Sequence, residues 1–252
     1  MASPLRAALI DVGGTLWPDG WIAPTSEEER GRVDILSAEL PLPRDRAAEL
    51  VQRLHALAAE AVPAEAVQAG LIQRTDEVVT TAVVSFGLEQ TAAEVIRRAM
   101  GTFAIGEERA QDRLFDGAEE LLRTAKDSGL RTVIVSNTFW RNADGYRRDF
   151  EDLRVGELID GVVTSLDTGF RKPHGAMFDE ALRVAGCAAS ECVFIGNSEQ
   201  LDVEPAAERG MRTIRVAIEE SAPDESRADA VVTSLAEAAS TLRVWTREPS
   251  GS

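Results

Sequence analysis

Ala7-Ala8-Leu9-Ile10-Asp11-Val12-Gly13-Gly14-Thr15-Leu16 is the stretch whose reading decides the fold. Four apolar residues in a row read as a strand buried on both faces. The run stops at one carboxylate, Asp11, and two glycines then permit a sharp turn. Open parallel sheets hold their ligand crevice at the carboxyl ends of the strands, so a strand-ending Asp11 is placed for chemistry.

The rest of the chain decides whether such a sheet exists. From Asp116 onward the pattern alternates. Asp116-Gly117-Ala118 opens a helix that Ser128-Gly129 ends, and Arg131 to Val135 reads as a β-branched strand. A helix over Asn142 to Leu153 leads to a strand at Gly161 to Ser165. Gly175 to Ala185 is helical, Cys192 to Gly196 a strand, Val203 to Arg209 a helix and Thr213 to Val216 a strand. Ala230 to Val232 is an edge strand, and Leu235 to Trp245 a closing helix. Strand–helix alternation predicts a parallel α/β sheet with right-handed crossovers.

Residues 18–112 read differently, as helices only. Ser26-Glu27-Glu28-Glu29 has the form of a capping box opening a helix that runs to Glu39. Pro41 and Pro43 end it. Arg44 to Ala61 follows, with Leu50, Leu54 and Leu57 at helical spacing, then Ala64 to Phe86 and Thr91 to Met100. Four helices with short breaks predict a small bundle inserted after the first strand. The expected layout is a core of residues 1–17 and 113–245, a helical insertion at 18–112, and a disordered tail at 246–252.

The chain has 252 residues, 27 basic against 43 acidic, for a net charge of −16. That balance argues against nucleic-acid or anionic-membrane partners, which select a basic face. Two cysteines, Cys187 and Cys192, read as small packing residues rather than a disulfide. Two histidines, His55 and His174, argue against a His-based zinc site, and His174 reads as loop surface. With no signal peptide and no long apolar run, the expected compartment is the cytoplasm.

Polar residues end four of the predicted strands. Asp11 ends the first. Ser136-Asn137-Thr138 ends the second, Arg171-Lys172-Pro173 follows the third, and Asn197-Ser198-Glu199-Gln200-Leu201-Asp202 follows the fourth. A doubly wound sheet brings all four to one crevice. A carboxylate there can attack phosphorus or carbon and form a covalent intermediate. A Ser hydroxyl can hold anionic oxygens, and a Lys can neutralise nucleophile and substrate. Carboxylate and amide oxygens in the last loop suit a hard cation. Trp17, Trp21 and Trp140 flank the crevice in sequence and either line a pocket or pack beneath the helices. Arg141 and Arg171 read as structural ion-pair residues, with contact to an anion as the alternative.

This ordered set resembles the haloacid dehalogenase-like hydrolases: Asp11-x-x-x-Thr15, Ser136-Asn137, Lys172-Pro173, and Gly196-Asn197-Ser198 followed by Asp202. The helical insertion resembles the helical cap of that family, so the likeness covers nearly the whole chain. It implies a Rossmann-like core with an active site between core and cap. It further implies Asp11 as nucleophile, Thr15 supporting its loop, Ser136 and Asn137 binding substrate oxygens, and Lys172 balancing charge. Magnesium would be bound at Asp11, Gly13, Asn197 and Asp202. The implied activity is magnesium-dependent hydrolysis of a small phosphorylated, anionic metabolite. Two alternatives stay open: a metal-free 2-haloacid dehalogenase-like hydrolase, and a binding or regulatory protein without turnover.

Two positions depart from the phosphatase pattern. A second Asp usually stands two residues after the nucleophile and carries the leaving-group proton; here it is Gly13. Losing a general acid/base costs roughly 10² to 10⁴ in rate. The Asp expected after Gly196 is Asn197, for which Glu199, Asp202 or Glu204 are candidate substitutes.

Overall fold

The computed structural model describes residues 4–18, 26–61, 74–101, 113–218 and 225–247. Among the described residues the chain begins with β1 (Ala7–Ile10) and continues into four helices: α1 (Ser26–Glu39), α2 (Arg44–Ala61), α3 (Thr75–Ser85) and α4 (Ala92–Gly101). Then follow α5 (Ala118–Asp127), β2 (Arg131–Ser136), α6 (Ala143–Asp152) and β3 (Gly161–Thr164). After them come α7 (Gly175–Ala185), β4 (Cys192–Gly196), α8 (Glu204–Glu208), β5 (Arg212–Val216), β6 (Ala230–Val232) and α9 (Leu235–Arg247).

The six strands form one parallel sheet in the order β3-β2-β1-β4-β5-β6. The chain lays β2 and β3 on one side of β1, then returns to lay β4 on the other. The order reverses at β1, which places the ligand crevice beyond its carboxyl end. Register fixes who meets there. Ile10 is level with Ile134 and Ile195, and the Asp11 N–H donates to the Ile195 carbonyl at 2.9 Å.

Alternation along each strand builds two cores. Ala8 and Ile10 face a layer with Leu121, Phe150 and Leu235, while Ala7 and Leu9 face Phe178, Phe194 and Ala181. Each fully buried Leu or Phe contributes about 1.5–3 kcal/mol. A third cluster belongs to the helices between β1 and β2. Ala47, Leu50, Val51, Leu54, Leu57 and Ala58 make one face of α2 and pack on Val79, Val83 and Ile96. Phe139 and Trp140, from the loop after β2, join that cluster. Thr75 seals the join by donating to the Phe139 carbonyl at 2.8 Å. The loop that follows Ser136 is thereby docked beneath the helices.

Within the described residues, the predicted element boundaries fall within two residues of the observed ones. The predicted third helix starts at Ala64, but residues 62–73 lie outside the described ones and the helix is described from Thr75. The closing helix runs through Thr246 and Arg247, which were expected in the tail; Thr246 Oγ1 donates to the Leu242 carbonyl at 2.9 Å. The rest of that tail, residues 248–252, is outside the described residues. His174 is not a loose surface residue. It caps α7, its Nδ1 accepting from the Ala176 N–H at 3.2 Å, and its ring stacks on Phe170. Among the described residues, no helix is long and apolar enough to cross a membrane.

Candidate active site

The turn after β1 is a small closed ring. The Val12 carbonyl accepts from Thr15, Leu16 and Trp17 N–H groups, and the Gly14 N–H donates to the Trp17 carbonyl at 2.7 Å. Gly14 takes the left-handed backbone, with φ of 71°. Gly13 pairs with Trp17 as an isolated bridge. The ring turns Asp11 inward, where it is 6% exposed. One carboxylate oxygen accepts from Thr15 Oγ1 at 3.1 Å.

The other oxygen accepts from Lys172 Nζ at 2.5 Å. The same ammonium donates to Asp202 Oδ1 at 2.7 Å. Lys172 and Asp202 are both buried, so this three-membered cluster sits almost wholly out of water. Burial alone would push the Lys172 ammonium down, but Asp11 and Asp202 on two sides raise it above its ordinary value. Burial, aided by the nearby Asp11 charge, pushes Asp202 up to about 6 against the pull of Lys172 and the Ser198 N–H.

The backbone is fitted to this cluster. A Cβ on Gly196 would stand 2.6 Å from the Asp202 carboxylate, so only glycine lets β4 end there. The Ser198 N–H donates to Asp202 Oδ2 at 3.0 Å. Asn137 holds Lys172 by its main chain: the Lys172 N–H donates to Asn137 Oδ1 at 2.7 Å, and Asn137 Nδ2 donates to the Lys172 carbonyl at 3.1 Å. Both ends of the Asn137 amide are thus engaged in positioning Lys172, where the expectation had been contact with substrate.

Ser136 ends β2 beside Asp11 and is buried. Its Oγ lies 3.0 Å from the hydroxyl of Tyr146, a residue the sequence reading passed over. Tyr146 is the only tyrosine in the chain and sits on α6 one turn before Phe150. That spacing, behind the Asn142 N-cap, was the available signal. Its ring stacks on Trp17, with centroids 5.9 Å apart and planes at 3°. Trp17 therefore packs, and Trp140 joins the helical cluster; Trp21 is outside the described residues. Arg141 forms the expected ion pair, bidentate to Asp149 at 2.6 and 2.7 Å. Arg171 donates to the Thr138 carbonyl at 3.2 Å.

The sequence profile of the haloacid dehalogenase-like hydrolases matches residues 5–210. The chain belongs to that family. Over 107 residues it is 35% identical to the glyceraldehyde 3-phosphate phosphatase of Methanothermobacter thermautotrophicus, covering 41% of this chain and 45% of that protein. The match therefore spans under half the length of that curated relative. The fold is shared with a 2-haloacid dehalogenase from Pseudomonas syringae pv. Tomato DC3000, at TM-score 0.58 and 21% identity over 96% of this chain and 99% of the other. It is also shared with a HAD phosphatase from Thermococcus onnurineus, at TM-score 0.55 and 20% identity over 94% and 98%. The same fold thus occurs in a protein named a phosphatase and in one named a dehalogenase, and fold alone does not choose between them.

Within the family's frame, the last loop departs most. Asn197 lies against the first turn: a Cβ on Gly14 would meet its amide nitrogen at 2.2 Å. Glu199 does not stand in for a missing acid. Its oxygens accept from Arg215 at 3.0 Å, Ser226 Oγ at 2.6 Å and the Arg227 N–H at 2.8 Å. Asp202 has partners on both oxygens. Glu204 opens the short helix α8.

Among the described residues, no group of three or more His, Cys, Asp or Glu side chains could hold a metal ion. The donors expected from the sequence are the Asp11 and Asp202 carboxylates, the Gly13 carbonyl and the Asn197 amide oxygen, and both carboxylates accept a hydrogen bond on each oxygen. Magnesium is commonly held by one or two carboxylates with substrate phosphate and water. This donor set fits an ion that a phosphate helps to hold.

Two outcomes follow from these bonds. Lys172→Ala leaves two buried carboxylates uncompensated, and urea unfolding at neutral pH should show a loss of about 3–5 kcal/mol. The second concerns Glu199. Burial pushes its carboxyl up, but Ser226, the Arg227 N–H and Arg215 together hold it below the ordinary 4.5. A depressed acid stabilises the fold above its unfolded value and loses that contribution as pH falls through its folded one. The gap in urea midpoint between wild type and Glu199→Gln, open at neutral pH, should close below pH 4.5.

Proposed function

We propose that the chain is a hydrolase of small phosphate monoesters that works through Asp11. The observation that carries this reading is the buried Asp11–Lys172–Asp202 cluster at the strand-order reversal. Its support from relatives is the similarity to a protein named as a phosphatase.

Lys172 donates to Asp11 and offsets the charge of an arriving phosphate. Thr15 holds the second Asp11 oxygen and so fixes the direction of attack. An Asp11 oxygen bonds to phosphorus as the ester P–O bond breaks, and the freed alkoxide takes a proton from water. Water then attacks the aspartyl phosphate at phosphorus, releasing inorganic phosphate and restoring Asp11. Ser136 donates to a non-bridging oxygen. Asp11, the Gly13 carbonyl, the Asn197 amide and Asp202 would hold magnesium, which would supply further charge neutralisation at the phosphate. The helices of residues 26–101 act as the cap that selects substrate and excludes water.

Gly13 offers no carboxyl to protonate the leaving oxygen. Leaving groups that depart without a proton are therefore favoured, and aryl phosphates should react far faster than alkyl ones. That same feature favours one second reading, a 2-haloacid dehalogenase-like activity, because halide leaves without a proton.

A panel of phosphate esters and 2-haloacids, with magnesium or with chelator, separates the readings. Phosphate release that needs magnesium supports the first. Halide release in chelator replaces it with the second, and silence across the panel points to a binding protein. Asp11→Asn should abolish turnover; activity surviving that substitution would sink the nucleophile assignment. Gly13→Asp should raise alkyl-phosphate hydrolysis by about 10²-fold and flatten the dependence on leaving group. The left-handed residue of the turn is Gly14, so a side chain at position 13 does not meet that backbone constraint.

A further inference from the structure

We propose that Tyr146 is a positioning residue: its phenol donates to the Ser136 hydroxyl and so leaves the Ser136 proton for an anionic oxygen of the substrate. The inference rests on the phosphate-monoester reading above and says how that site is tuned.

A serine hydroxyl carries one proton and two acceptor lone pairs. If Ser136 gave its proton to Tyr146, it would present only lone pairs to an anion. With Tyr146 as donor in the 3.0 Å contact, Ser136 accepts on one side and donates on the other. The surroundings select that direction. The phenol is boxed between Trp17 and Phe150, with ring centroids at 5.9 and 6.3 Å. Burial raises it, with the Asp149 and Asp11 charges adding to that against Ser136 and Arg141, so the proton stays on the phenol. A neutral phenol is also the better donor of the two hydroxyls.

The ring is held on both sides. Trp17 belongs to the loop that carries Asp11, its N–H donating to the Val12 carbonyl at 3.2 Å. Tyr146 belongs to α6, whose start is fixed by Asn142 accepting from Gly145 N–H at 2.9 Å and whose Asp149 is clamped by Arg141. Stacking of Tyr146 on Trp17 therefore sets the loop of Asp11 and the hydroxyl of Ser136 in register. The bland alternative is a core tyrosine that merely satisfies its hydroxyl. It predicts a stability cost and no change in anion affinity.

Tyr146→Phe keeps the ring and removes only the donor. The test compares wild type, Tyr146→Phe, Ser136→Ala and the double variant. Two readouts are used: calorimetric binding of inorganic phosphate, and kcat and KM on an aryl phosphate with magnesium. Loss of one hydrogen bond that orders an anion contact should weaken phosphate binding and kcat/KM by about 10-fold. Ser136→Ala should lose at least as much, and the double variant no more than Ser136→Ala. Additive losses, or wild-type phosphate affinity in Tyr146→Phe, overturn the relay while leaving the phosphatase reading intact. A wild type that neither binds phosphate nor cleaves its esters overturns that reading and the relay with it.

Discussion

One buried ammonium shared between two carboxylates is the interaction on which the rest of the site depends. Lys172 draws together the ends of β1 and β4 and the loop after β3. Such a cluster is a poor source of stability, because taking charges out of water costs about as much as their attraction returns. Its value is placement. Once Asp202 must reach under β4 to Lys172, residue 196 must be glycine. Once Lys172 must point at Asp11, its main chain must be pinned, and Asn137 pins it from both sides. Several residues that read singly as loop chemistry are thus consequences of one charge.

The second constraint is mechanical. The helical layer does not merely sit over the sheet; it receives Phe139 and Trp140 from the loop that begins at Ser136 and Asn137. A second aromatic contact, Trp17 on Tyr146, ties the turn of Asp11 to the helix after that loop. Movement of the helices therefore bears on the loop after Ser136 through packed side chains rather than through a flexible tether. The turn of Asp11 and the helical cluster are thus linked by apolar contact.

How far this was legible in the sequence follows from the kind of signal each part leaves. Strands buried on both faces leave continuous apolar runs, so β1, β2 and β4 were plain. Caps and breakers marked α1, α2 and α5. Lys172 was legible only through its place in an ordered set, since a lysine before proline is otherwise a surface charge. Asn137 read as a substrate ligand because its neighbour Ser136 did, while its partner was a backbone thirty-five residues away. Tyr146 was missed because an aromatic on a helix reads as core, and it is core except for one oxygen. Glu199 looked available because nothing local reveals Arg215 and Ser226, which approach from β5 and a later loop.

Gly13 and Asn197 can be taken as one change rather than two defects. Each removes a negative charge from the crevice relative to the phosphatase pattern. The buried cluster that remains, two carboxylates and one ammonium, carries a net charge of −1 when both carboxylates are ionised. A further carboxylate about 4 Å from a phosphate oxygen would add roughly 4 kcal/mol of repulsion per unit charge at an effective dielectric of about 20. Without those carboxylates, a dianionic phosphate meets less repulsion and has less need of a divalent cation to bind. The same absences leave that cation a thinner donor set, completed by the phosphate itself. On the proposed phosphate-monoester reading, weaker metal binding, easier anion binding and a missing proton carrier are three faces of one electrostatic adjustment, made at the turns after β1 and β4.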